Sequence, residues 1–139
     1  MLSVAISGVA EVLAEMKKVD AQIQRNTERA VARTVLRVET AAKRRIQRGP
    51  KTGEVYEKYL PRRTHQASQE GQAPASDTGR LANSIEHSLQ GMEGFVFTRV
   101  EYAPYLEFGT ARIKPRPFLF PSLEENTQFL RDELQKVVP

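Results

Sequence analysis

The sequence predicts an α+β fold: a small antiparallel sheet of about four strands, two N-terminal helices and one C-terminal helix packed on it, and a long extended arm. Three observations carry this. The apolar period lengthens from two residues to a helical one within the first ten positions. A polar stretch at 49–78 has no sustained period. After it the two-residue period resumes, ahead of a final amphipathic helix.

Leu2, Val4 and Ile6 alternate with small polar or alanine positions and predict a half-buried strand ended by Gly8. Val9, Val12, Leu13 and Met16 then share a helical face, and Asp20 is placed to cap a second helix running to about Gln47. Gly49-Pro50 stops it. That helix has two faces. Val31, Val35, Val38, Ala42 and Ile46 form an apolar stripe, and Arg25, Arg29, Arg33, Arg37 and Arg44 fall on the opposite side. In the 49–78 arm only Val55, Tyr56, Tyr59 and Leu60 form an apolar island. Past Thr78-Gly79 a strand is expected, with Ile85, His87 and Leu89 on one face. The loop from Gln90 to Gly94 closes a hairpin. The return strand runs from Phe95 to Tyr102, with Phe95 and Phe97 on one side and Val96, Val100 and Tyr102 on the other. Ala103-Pro104 opens one helical turn that Gly109 closes. Pro115, Pro117 and Pro121 keep 115–121 extended, with Phe118 and Phe120 pointing one way and Leu119 the other. Ser122 and Glu125 read as a capping box for the last helix, whose stripe is Leu123, Thr127, Leu130, Leu134 and Val137.

Composition narrows the function. The 139 residues fit one domain, 1–139, with the arm at 49–78. Leu, Ile, Val and Phe total 34, about a quarter of the chain and above the level at which chains stay disordered. The absence of cysteine excludes disulfides, thiolate metal sites and a cysteine nucleophile, and suits an intracellular origin. No apolar run reaches the roughly 20 residues of a membrane span, and no basic n-region precedes Lys17, so neither membrane insertion nor a secretory signal is expected.

Little in the sequence suggests catalysis. Gly49-Pro50-Lys51-Thr52-Gly53 lacks the spacing of a phosphate loop and follows a helix. His65 reads as a solvated or backbone-bonded side chain and His87 as a partly buried structural one. Glu101 and Glu107 are two carboxylates with no other sign of a cleft around them. No enzyme activity, catalytic residue, metal site or cofactor is expected.

Two segments are more informative. The first is Asp77-Thr78-Gly79-Arg80-Leu81, continuing through Asn83-Ser84-Ile85. The second is Tyr102-Ala103, then Tyr105, then Glu107-Phe108-Gly109-Thr110, followed by Pro115, Pro117-Phe118-Leu119, Pro121 and Leu123. Physically they are turn-rich junctions on either side of a hairpin. Thr78-Gly79 turns into the first strand, Gly109 sits where φ > 0 is needed, and Pro117-Phe118 stiffens the lead into the last helix.

Together "DTGRLANSI" and "YAPYLEFGTARIKPRPFLFPSLEEN" resemble the tail-component family of long-tailed bacteriophages and prophages, and the resemblance spans nearly the whole chain. It implies an N-terminal strand, two basic helices, a variable loop, a TGxLxxSI strand, a YAxYxEFGT turn and a PFLxPxL helix. It also implies a virion structural protein of the head–tail neck or upper tail: a connector, tail-completion or minor tail protein. Such a protein is made in the bacterial cytoplasm and works as a sixfold or twelvefold homo-oligomeric ring. Its partners are adjacent neck or tail proteins, with passive contact to DNA in the channel. Tyr56, Tyr59, Arg62 and Arg63 of the arm are of the residue types that protein interfaces favour, and with Arg25, Arg29, Arg33 and Arg37 of the long helix they are the expected assembly interface. The alternative is a free-standing nucleic-acid binder using the Arg face. It rests on segment 17–63, where 14 basic residues against 5 acidic ones give a net charge of +9.

Overall fold

A computed structural model of the protein describes residues 1–15, 21–59 and 62–138, with the backbone alone described at 13–15. The expected cap Asp20, Met16 of the first helical stripe, Leu60 of the arm's apolar island, and the side chain of Leu13 lie outside the described residues. The elements are β1 (Leu2–Ile6), α1 (Val9–Glu15), α2 (Ala21–Arg48), β2 (Val55–Tyr59), β3 (Arg62–Gln66), α3 (Arg80–Ser84), β4 (Glu86–Gln90), β5 (Glu93–Thr98), α4 (Ala103–Phe108) and α5 (Phe120–Gln135). The fold is α+β, as the periodicities predict. The main sheet has three strands in the order β1-β5-β4, all antiparallel, and the arm contains a separate two-stranded hairpin, β2-β3.

The long helix α2 organises the molecule. Val31, Val35, Val38, Ala42 and Ile46 are at most 1% exposed, and full burial of each larger side chain is worth about 1.5–3 kcal/mol. This stripe packs on β5, where Val96 is buried. Gly94 lets the helix approach: a Cβ there would stand 2.2 Å from a methyl of Val35. In β1, Leu2 and Ile6 are buried beside the central strand, opposite Thr98 and Gly94. α5 packs along α2. At the end of α2, Gly49 N–H donates to Arg45 O at 3.1 Å, and Lys51 Nζ donates to the same carbonyl at 2.9 Å.

Four local expectations are corrected. The arm is a hairpin instead of an irregular extension. Residues after Gly79 form one helical turn before the strand, because Gly79 takes φ 80° and the turn lets Leu81, Ala82 and Ile85 all be buried. The return strand stops at Thr98, whose hydroxyl bonds Ser84 Oγ at 2.7 Å and accepts Val100 N–H at 3.2 Å; Tyr102 lies beyond it. The final helix starts at Phe120, two residues before Ser122. Ser122 is therefore a buried helical residue donating to Phe118 O at 2.6 Å, not a cap. For the same reason 118–120 do not alternate: Phe118 and Leu119 are both fully buried and Phe120 is exposed.

His87 and Leu89 also depart from expectation. Their positions pair with Val96 and Gly94, but β4 is an edge strand and all five of its residues are exposed. His87 reaches Glu39 on α2 through Nδ1. Burial pushes Glu39 upward, but the hydrogen bonds from Lys43 and His87 outweigh it and hold the carboxyl below its ordinary value.

Candidate assembly interface

The hairpin is fastened at its base and along one face, and its other face is bare. Its register pairs Tyr56 with His65, Lys58 with Arg63 and Tyr59 with Arg62. The ladder continues below the strands through Gly53 N–H to Ala67 O and Ala67 N–H to Glu54 O, both 2.8 Å. Gln72 and Gln69 cross-link the two legs. Gln72 Oε1 accepts from Thr52 N–H and Gln69 N–H at 3.0 and 2.9 Å, and Gln69 Nε2 donates to Thr52 O at 2.9 Å.

Opposite residues of an antiparallel pair share a face, so Lys58, Arg63 and His65 project together, and all three meet Asp77. Lys58 Nζ is 2.5 Å from one carboxylate oxygen. Arg63 grips both oxygens, at 2.8 and 2.9 Å, and His65 Nδ1 stands 3.7 Å away. The Arg63 hydrogen bond, then that of Lys58, holds Asp77 far below the usual carboxylate range. Of the expected interface residues, Arg63 is thus committed to the chain itself. Arg62, Val55 and Tyr59 occupy the other hairpin face, with Val55 59% and Tyr59 68% exposed. Tyr56 is also exposed and donates to Glu54 Oε2 at 2.8 Å. The His65 side chain is 15% exposed and lies beside a carboxylate. Asp77 and Lys58 were not among the expected interface residues. Their contact spans 19 residues of chain, and no local pattern signals it.

The motif residues meet in a knot between α4 and α5. Glu107 is buried, and its carboxylate accepts the N–H groups of Phe118, Leu119 and Phe120 at 2.8, 3.0 and 2.7 Å. Those donors belong to the start of α5, which has no partners for them within the helix. A carboxylate there also complements the helix dipole. Gly109 takes φ 75° and ψ 175°, and its N–H donates to Tyr105 O at 2.9 Å. Thr110 N–H donates to Ile113 O at 2.8 Å, and its Oγ1 accepts from Arg112 and Ile113 N–H. Arg116 N–H donates to Leu106 O at 2.7 Å, and Gly71 N–H to Pro115 O at 3.0 Å, which ties the knot to the base of the arm. Phe118 sits in the core, Pro117 is half-buried, and Pro121 lies in the first turn of α5. Among the upstream motif residues, Leu81 and Ile85 are core, Ser84 Oγ reaches Leu81 O at 2.6 Å, and Thr78 Oγ1 accepts Arg80 N–H at 3.4 Å. Tyr102 lies under Arg80 at 5.5 Å. Tyr105 and Phe108 remain exposed.

The Arg face of α2 is divided. Arg33 pairs with Glu133 at 2.9 Å. Arg37 donates to Asn126 Oδ1 at 3.1 Å and stacks 4.2 Å above the Phe129 ring, so both arginines are engaged by α5. Arg25 bonds Gln22 on its own helix at 3.0 Å. Arg25, Arg29 and Arg44 face solvent. Among the described residues no three His, Asp or Glu side chains gather as a metal-binding group, and no helix is long and apolar enough to cross a membrane. Comparison with known proteins finds no matching family model, no similar curated protein and no similar solved structure.

Proposed function

We propose that this protein is a structural virion subunit of a tailed bacteriophage or prophage, assembling as a ring at the head–tail neck or upper tail. The observation that carries the reading is the hairpin. The Gln69–Gln72 cross-links lock its base and Asp77 fastens Lys58 and Arg63 at the far end of one face, while Val55, Tyr56, Tyr59 and Arg62 are held out in solvent. Keeping such side chains ordered and exposed gains the subunit little by itself, and it suits contact with a neighbour. The YAPYLEFGT and PFLFPSL segments, on which the family resemblance rests, form the equally rigid knot below it.

The test replaces residues 55–66 with an Asn-Gly turn, leaving the Glu54–Ala67 pairing to close a short hairpin. The purified subunit should melt within about 2 °C of wild type, because the hairpin residues it loses are mostly exposed. Native mass spectrometry should show a smaller population of the wild-type oligomers, and phage carrying the change should lose infectivity. Normal oligomers and normal infectivity would reject the assembly role.

A further inference from the structure

We infer that neighbouring copies join head to tail through two surfaces outside the hairpin: the aromatic–basic knot of one copy and the outer face of the β1-β5-β4 sheet of the next. The inference rests on the ring reading above and names its interface.

The knot exposes four large apolar side chains from one rigid feature: Tyr105 at 58%, Phe108 at 69%, Ile113 at 43% and Phe120 at 54%. Scattered exposed apolar residues are ordinary, but a cluster held by buried hydrogen bonds marks an interaction surface. Its loop is basic: from Phe108 to Leu123 the chain carries Arg112, Lys114 and Arg116 and no acid, ahead of the exposed Glu124 and Glu125 on α5.

The sheet supplies the complementary surface. Helix α2 packs on its other face. On the outer face Phe95 and Phe97 are half-buried, and their cross-strand neighbours Ala5, Ser88 and Ser3 are small, so the two rings form a shallow aromatic shelf. Glu86 and Glu93 lie on the same face, with one cation, Arg99, over Phe97 and 3.3 Å from Glu86. One surface is thus aromatic with a basic surround and the other aromatic with acidic residues predominating. Two different patches that fit each other make a heterologous interface, which a ring requires and a two-fold dimer does not. Opposed charges also fix which patch meets which.

Two experiments test this on the full chain. The first reverses charge. Arg112→Glu with Lys114→Glu should lower the oligomer population at fixed concentration by about tenfold or more, as should Glu86→Lys with Glu93→Lys. Combining all four changes should restore it. Circular dichroism melts check that each variant folds. The second uses the absence of cysteine in the chain. Ile113→Cys with Ser88→Cys should give, under mild oxidation, a ladder of covalent multimers, while each single variant stays uncross-linked. Oligomerisation indifferent to the charge reversals, or a double-cysteine variant that forms oligomers but yields no ladder, would overturn this interface and leave the ring reading intact. A wild-type chain that stays monomeric at every concentration would overturn both.

Discussion

Glu107 and Gly109 make the turn between α4 and α5 in different ways, and each can be tested alone. Glu107→Ala strips three N–H groups of their acceptor where water has little access. Loss of a single cap costs up to about 2 kcal/mol, and bonds to a charged acceptor about 1.5–3 kcal/mol each. The variant should therefore lose at least about 2 kcal/mol in a denaturant titration. Glu107→Gln keeps an acceptor oxygen without the charge and should lose less than half as much. Equal losses would mean that packing, not capping, is the role of the side chain. At Gly109 the pair φ 75°, ψ 175° belongs to a region populated almost only by glycine, and a Cβ would meet Ile113 O at 2.8 Å. Gly109→Val should cost on the order of 1–3 kcal/mol from backbone strain, with the steric clash in addition. A melt within a degree of wild type would contradict it. The need for glycine was legible in the sequence, because Gly109 follows a short helical turn and precedes a proline run. The Glu107 cap was not. It joins residues 11 to 13 positions apart, and the nearby Ser122–Glu125 pair offered a local capping box in its place.

At the scale of elements, legibility follows how much of the stabilisation is local. The α2 stripe could be read because one periodicity persists for four turns and all its members face the same core. The hairpin could not, because both its faces carry polar groups and a two-residue period needs one buried face to be visible. The available signal was the enrichment of Val, Tyr and Thr on either side of Pro61. Its attachment to the body lies in Asp77, which makes the hairpin sensitive to acid. Asp77 has a folded pKa depressed by Arg63 and Lys58, so its contribution is fully present above the unfolded value of about 4 and is lost as pH falls through the lower folded value. Amide exchange across Val55–Gln66 should therefore be flat from pH 7 to about 5, after correction for intrinsic rates. It should show lost protection only well below pH 4, while α2 stays protected. Asp77→Asn should reproduce the loosened hairpin at pH 7, with exchange several-fold faster. Unchanged protection in that variant would show that the Gln69–Gln72 cross-links hold the hairpin without Asp77.

For the whole molecule, the choice between a ring subunit and a free nucleic-acid binder turns on which arginines are available. If Arg25, Arg29, Arg33 and Arg37 each neutralised one phosphate, the log–log dependence of affinity on salt would have a slope near about −3.6. In the folded chain Arg33 is paired with Glu133, and Arg37 is bonded to Asn126 and stacked on Phe129. Lys136, then Arg33, holds Glu133 below its ordinary carboxylate value. Of those four, Arg25 and Arg29 are left, and their share of the slope should be about −1.8 on duplex DNA. Fluorescence anisotropy between 50 and 200 mM salt measures it. Glu133→Gln should release Arg33 and steepen the slope by about 0.9, which ties the reading to that contact. A wild-type slope near −3.6, abolished by Arg25→Ala with Arg29→Ala, would mean that the helix exchanges its own partners for phosphates. The nucleic-acid reading would then displace the ring.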